Sequence, residues 1–232
     1  MRIHIPSIID FFDNSINKQN SKYSNTVVSL LGEEISSYCF KKYHEDIGAT
    51  VNVYNIPCKK NGKKGKQLDR CITYRKGRTR ILYQTEIKSW NSNSIGGNPI
   101  GLNVDNETIS KYANFEWNNI WDNAKCNFKS DLISKCLQKM DPPSQFDEFP
   151  VQKSLLLYWL PIFDKKMKSL EKSIQFSKST INCEMDCIDI FSVSTYLRYL
   201  NLIQTNDYLD LPQTEFPILY MTMEKINSIV KI

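Results

Sequence analysis

A chain of 232 residues with 41% hydrophobic and 12% aromatic content carries enough apolar surface for one folded domain, and excludes a disordered chain. Its formal charge of +5 is unevenly placed: ten basic residues against the single acid Asp69 between Lys59 and Arg80 give that stretch +9 and leave the rest at −4. No apolar run approaches the ~20 residues of a membrane-spanning helix, and the acids Asp10 and Asp13 do not suit a secretory signal, so a soluble cytoplasmic protein is expected.

The chain opens with a short amphipathic helix over 6–14, entered through Pro6-Ser7, and a polar loop follows to Asn25. Val27, Val28, Leu30, Leu31, Ile35, Tyr38, Cys39 and Phe40 then form a helical stripe over 25–42, with Asn25-Thr26 as the N-cap and Glu33-Glu34 mid-helix. Residues 51–56 alternate and are β-branched, which predicts a strand. A basic loop over 57–66 leads into two strands, 68–74 and 79–88, joined by a turn in which Gly77 suits a positive φ.

Residues 91–106, rich in Asn, Ser and Gly, read as loop, and 107–140 as a long helical pattern ended by Asp141-Pro142-Pro143. Within that pattern Trp117 and Trp121 are expected in the core. Ser154–Ile162 is a continuous apolar run of the kind found in a central strand covered on both faces. Residues 163–183 are polar with a short helix, 187–193 form a second buried strand, and Ser194 or Thr195 caps the helix that follows. Residues 210–217 read as loop and 218–230 as a closing helix. The order is that of a single α/β domain with a mixed sheet. Seven cysteines without a C-x-x-C pair point to free thiols in a reducing compartment, and two histidines, His4 and His44, are too few for a zinc cluster.

The chemistry concentrates in the hairpin Leu68–Trp90. Alternation puts Gln84, Glu86 and Lys88 on one face of its second strand, and the turn folds Asp69 back towards Glu86. Two carboxylates and an ammonium at a strand end can hold a divalent cation beside a polarised water. Glu33 or Glu34 can supply a third acid from the preceding helix, and the adjacent basic run suits a polyphosphate partner.

This order (helix with Gly32-Glu33-Glu34, three antiparallel strands, Asp69, Glu86-Ile87-Lys88, helix, buried strand) resembles the PD-(D/E)XK, or restriction-endonuclease-like, nuclease superfamily over roughly residues 25–162. The resemblance implies a restriction-endonuclease-like mixed central sheet as the core, with 1–24 as an N-terminal extension and 163–232 as a C-terminal extension packed on the same domain. It implies Mg²⁺, or Mn²⁺ in its place, bound by Asp69, Glu86, the Ile87 carbonyl and Glu33, with Lys88 orienting the attacking water. Leu68 stands where many members have Pro. Lys59, Lys60, Lys63, Lys64, Lys66, Arg75, Arg78 and Arg80 are expected to contact phosphates, while Trp90 either stacks on a base or lids the site. The implied activity is Mg²⁺-dependent hydrolysis of DNA, in preference to RNA, as in a microbial anti-phage or restriction system. Residues 163–232, a second copy of the chain, or a partner such as a helicase or sensor subunit would supply target choice. The alternatives are an inactive nucleic-acid-binding or partner-binding subunit on the same fold, and a protein-interaction domain whose basic loop meets an acidic protein.

Overall fold

The computed structural model describes residues 1–14, 24–61, 67–88, 135–159, 170–175 and 184–229. In chain order the elements are β1 (Arg2–His4), α1 (Ile5–Asn14), α2 (Ser24–Asp46), β2 (Thr50–Tyr54), β3 (Cys58–Lys59), β4 (Gln67–Leu68), β5 (Arg70–Lys76) and β6 (Thr79–Lys88). A short 3-10 turn (Ser144–Phe146) precedes β7 (Val151–Tyr158), β8 (Glu171–Gln175), β9 (Cys187–Ser192), α3 (Val193–Leu202), β10 (Tyr208–Asp210) and α4 (Pro217–Ile229). Among the described residues this is a mixed α/β fold: a six-stranded sheet ordered β2-β5-β6-β7-β9-β8, with four α-helices.

The alternating hairpin sequence produces the antiparallel half of the sheet. β5 pairs with β6 from Arg70–Thr85 to Lys76–Thr79, and Gly77 turns the corner at φ +57°, a conformation that a Cβ disfavours. β2 pairs antiparallel with β5 on the outer side. β7 then runs parallel to β6, in register from Ile81–Val151 to Lys88–Tyr158, and parallel to β9 on its other side. As its unbroken apolar run predicts, β7 is buried on both faces. Leu155 and Leu157 join one core with α1, α2 and α3, while Leu156 and Tyr158 join a second with Leu82, Met140 and Ile190. Each fully buried leucine contributes about 1.5–3 kcal/mol of transfer free energy.

The helix α2 covers the first face through Ile35, Cys39 and Phe40. It continues four residues beyond the expected end at 42 and stops at Gly48, whose φ of +84° lets its N–H and that of Ala49 reach back to Glu45 and His44. The residues expected as an N-terminal extension include β1, which pairs with β10, and α1, whose Phe12 ring packs 4.5 Å from that of Trp159. Among the described residues no helix is long and apolar enough to cross a membrane.

Several expectations are corrected. β8, read as polar loop or helix, is an antiparallel edge strand in which only Ile174 is buried; its charged and polar positions are what an edge tolerates, and they hide the strand from periodicity. The three-residue β10 was likewise missed. The cap of α3 is Ser192, whose hydroxyl accepts from the Thr195 N–H, because β9 ends one residue earlier than its apolar pattern suggested. Cys58 and Cys71 form a disulfide across β3 and β5, with Cα atoms 5.9 Å apart, because both side chains enter the second core. Cys39, Cys136 and Cys187 are free, so the cysteine count no longer argues for a reducing compartment. The loop over 91–106 and the helical pattern before 135, with Trp117 and Trp121, lie outside the described residues.

Candidate active site

The site arises where two neighbours of β6 part company. β5 pairs with β6 only as far as Arg70 opposite Thr85, whereas β7 follows β6 to its last residue, Lys88 opposite Tyr158. Among the described residues, Glu86, Ile87 and Lys88 therefore have a strand on one side and none on the other. Asp69, at the bend just before β5, stands on that other side: its Oδ2 accepts the Ile87 N–H at 2.8 Å. A strand residue's N–H and C=O leave on the same side, so the Ile87 carbonyl also faces the Asp69 edge.

Alternation along β6 puts Gln84, Glu86 and Lys88 on the face of the second core. Glu86 is almost fully enclosed, with a side chain 3% exposed. Lys88 Nζ donates to its Oε1 at 2.6 Å, and Lys135 Nζ donates to its Oε2 at 2.7 Å. Burial pushes the Asp69 carboxyl above the usual carboxylate range and the Glu86 charge adds to the effect, while the Ile87 N–H and the Lys88 and Lys135 ammoniums oppose it. For Lys88, burial works to lower the pKa, but the charge and hydrogen bond of Glu86, with the charge of Asp69, outweigh it and hold the ammonium protonated beyond its ordinary range. Cys136 lies beneath, its buried thiol pushed up to about 12 and so inert.

The two helix acids take different roles. Glu34 is buried with Arg70: Nη2 donates to Oε1 at 2.7 Å, Nη1 to Oε2 at 3.3 Å, and Nη1 also reaches Ser37 Oγ. Glu33, one third exposed, is only 3.7 Å from the same guanidinium. Burial and the Asp69 charge push the Glu33 carboxyl up, against Arg70 and a hydrogen bond from Ser29. Of the two, Glu33 is the acid whose charge is felt together with that of Asp69. Arg70, counted in the basic run, is a buried strut between β5 and α2. Its place directly after Asp69 in a sequence expected to be extended, hence on the opposite face, was the available signal.

The described basic residues do not make one patch around the acids. At ~3.3 Å per residue, the hairpin carries Arg75, Arg78 and Arg80 roughly 20 Å from Asp69 and Glu86, to its opposite end. There Arg75 pairs with Glu148 and lies 4.8 Å over the Phe149 ring, and Arg80 approaches Glu148 at 3.9 Å. Lys60 is held by both oxygens of Glu184 at 2.7–2.8 Å and by the Lys139 carbonyl. Lys59 is exposed on β3 and Arg78 in the turn. Lys63, Lys64, Lys66 and Trp90 lie outside the described residues.

Lys135 was missed altogether. In sequence it is one lysine on the polar side of a helical stripe, and only the packing of 135–140 against β6 brings it to Glu86. Gln84 fixes that packing: its amide donates to the Cys136 and Gln138 carbonyls at 3.1 and 2.7 Å, and its Oε1 accepts the Met140 N–H at 2.9 Å.

Among the described residues no three His, Cys, Asp or Glu side chains converge as a ready metal cage. Mg²⁺ does not require one: it keeps several waters and takes one or two carboxylates with substrate oxygens. Asp69, Glu86 and the Ile87 carbonyl are hard oxygen donors of that kind, and two ammoniums already stand beside Glu86. No family model, characterised protein or solved structure matches the chain.

Proposed function

We propose that the chain is a Mg²⁺-dependent nuclease of the PD-(D/E)XK type, hydrolysing phosphodiester bonds of DNA in preference to RNA. The observation that carries this reading is the enclosed Glu86 between two ammoniums, beside an Asp69 whose pKa is raised by burial and by the Glu86 charge, at the end of β6. The strand plan supports it: a helix, three antiparallel strands, then a strand parallel to the third is the core order of that superfamily.

Asp69, Glu86 and the Ile87 carbonyl would hold the cation, with Glu33 adding a third acid from α2. When bound there, Mg²⁺ supplies Lewis-acid polarisation of the phosphate and a more acidic water. Lys88, kept protonated by its acidic neighbours, orients the nucleophile and stabilises negative charge through hydrogen bonding, and does not accept the proton itself. Burial of Glu86 keeps bulk water from screening these charges. Target choice would come from a partner such as a helicase or sensor subunit, or from a second copy of the chain.

The test is digestion of supercoiled plasmid with and without Mg²⁺, comparing the wild type with Asp69→Ala and Glu86→Gln. Metal-dependent nicking lost in both variants is expected. A wild type that binds DNA and never cuts it with Mg²⁺ or Mn²⁺ identifies the inactive binding subunit instead.

A further inference from the structure

We propose that Lys135 is an internal counter-ion for Glu86, and that a divalent cation gains Glu86 by displacing it. The proposal rests on the metal-dependent reading of the site above. Both oxygens of Glu86 are engaged, Oε1 by Lys88 and Oε2 by Lys135. Two enclosed carboxylates side by side are unstable unless a proton or a cation compensates their charge, and at Glu86 that compensation is a pair of ammoniums.

The two lysines are not equivalent. Lys88 belongs to the same strand as Glu86 and projects from the same face two residues on, so it stays beside the acid. Lys135 arrives from a different segment, and its side chain is 29% exposed, which gives the ammonium a route into water. Its backbone does not have to move, because Gln84 clamps the carbonyls of Cys136 and Gln138 and the N–H of Met140. A lysine stem rotating on a fixed backbone is thus the exchangeable charge. Lys135 thereby positions Glu86 before the cation arrives and sets how tightly it is then held.

Calorimetric titration of Mn²⁺ into the full chain tests this in the wild type, Lys135→Met, Lys135→Arg and Glu86→Gln, with thermal unfolding of each in EDTA. Removing the competing ammonium should tighten Mn²⁺ binding roughly tenfold, about 1.4 kcal/mol, in Lys135→Met. That variant should also unfold at lower temperature in EDTA and recover with saturating Mn²⁺, whereas Lys135→Arg should match the wild type in both respects. Equal or weaker Mn²⁺ affinity in Lys135→Met, with binding still lost in Glu86→Gln, overturns the counter-ion role and leaves the metal reading standing. No Mn²⁺ uptake by either the wild type or Lys135→Met overturns the metal reading itself. Should Lys135→Met fail to fold in EDTA, folding restored by Mn²⁺ supports the exchange and folding not restored overturns it.

Discussion

Glu33 and Glu34 are adjacent in sequence, yet the structure gives them separable consequences. Glu34→Ala leaves the Arg70 guanidinium buried without its carboxylate. Both side chains are at most 5% exposed, so solvent does little to screen the loss. The two bonds at 2.7 and 3.3 Å disappear, Ser37 Oγ at 3.3 Å is a neutral acceptor, and the Glu33 carboxylate that remains is partly exposed and no closer than 3.7 Å. Removing one partner of such a pair costs about 3–5 kcal/mol. For a chain of this size, at roughly 2–4 °C per kcal/mol, the midpoint of thermal unfolding falls by about 6–20 °C. Glu33→Ala, one third exposed and loosely paired at 3.7 Å, should move it by less than about 3 °C while still reducing Mg²⁺-dependent cleavage. Replacing both ends of the buried pair, as Glu34→Met with Arg70→Met, should recover most of the lost stability, because two apolar side chains incur no desolvation penalty. Thermal unfolding followed by circular dichroism reads all four proteins. Equal losses in Glu33→Ala and Glu34→Ala, or no recovery in the double variant, would refute the division of roles.

Burial raises the Asp69 pKa, with the Glu86 charge adding to it, so the protonated form contributes stability that is fully present below the unfolded value near 3.9 and is lost as pH rises through the higher folded value. Asp69→Asn should accordingly be more stable than the metal-free wild type at neutral pH and lose that advantage below about pH 4, as urea unfolding across pH will show. Mg²⁺ at about 100 times its dissociation constant should stabilise the wild type by about 2.7 kcal/mol and leave Glu86→Gln unmoved in thermal unfolding. Arg75→Ala and Arg80→Ala should leave the salt slope of DNA binding unchanged, where loss of a true phosphate contact would shift it by about 0.9. Gly77→Ala should cost about 1–2 kcal/mol in urea unfolding through its left-handed φ alone, since no atom lies within 4 Å of an added Cβ.

The parts of the fold that read correctly from sequence are those where one physical signal dominates. The unbroken apolar run of β7 demands two covered faces, and the alternation either side of Gly77 demands a hairpin. What did not read is held by long-range pairing. β8 is a strand because β9 offers it an edge, and Ile174 is its one buried side chain. Cys58 and Cys71 meet because β3 and the start of β5 converge on the second core, which their spacing along the chain does not reveal.

The same division runs through the site. Asp69, Glu86 and Lys88 come together through a local rule, a hairpin folding about its turn, and local rules are written in sequence. That rule also separates the turn arginines from the acids: a turn that brings Asp69 to Glu86 must carry Arg75 and Arg80 to the other end of the strands. Lys135 and the choice between Glu33 and Glu34 follow no local rule. They depend on how 135–140 and α2 dock against the sheet, through Gln84 in one case and Arg70 in the other. Both docking residues are polar side chains spent inside the protein, which in sequence look like surface. The hairpin thus supplies the acids of the proposed site, while two buried polar clamps decide which charges meet them, and variants of Gln84 or Arg70 should disturb that site without touching any residue proposed to hold the cation.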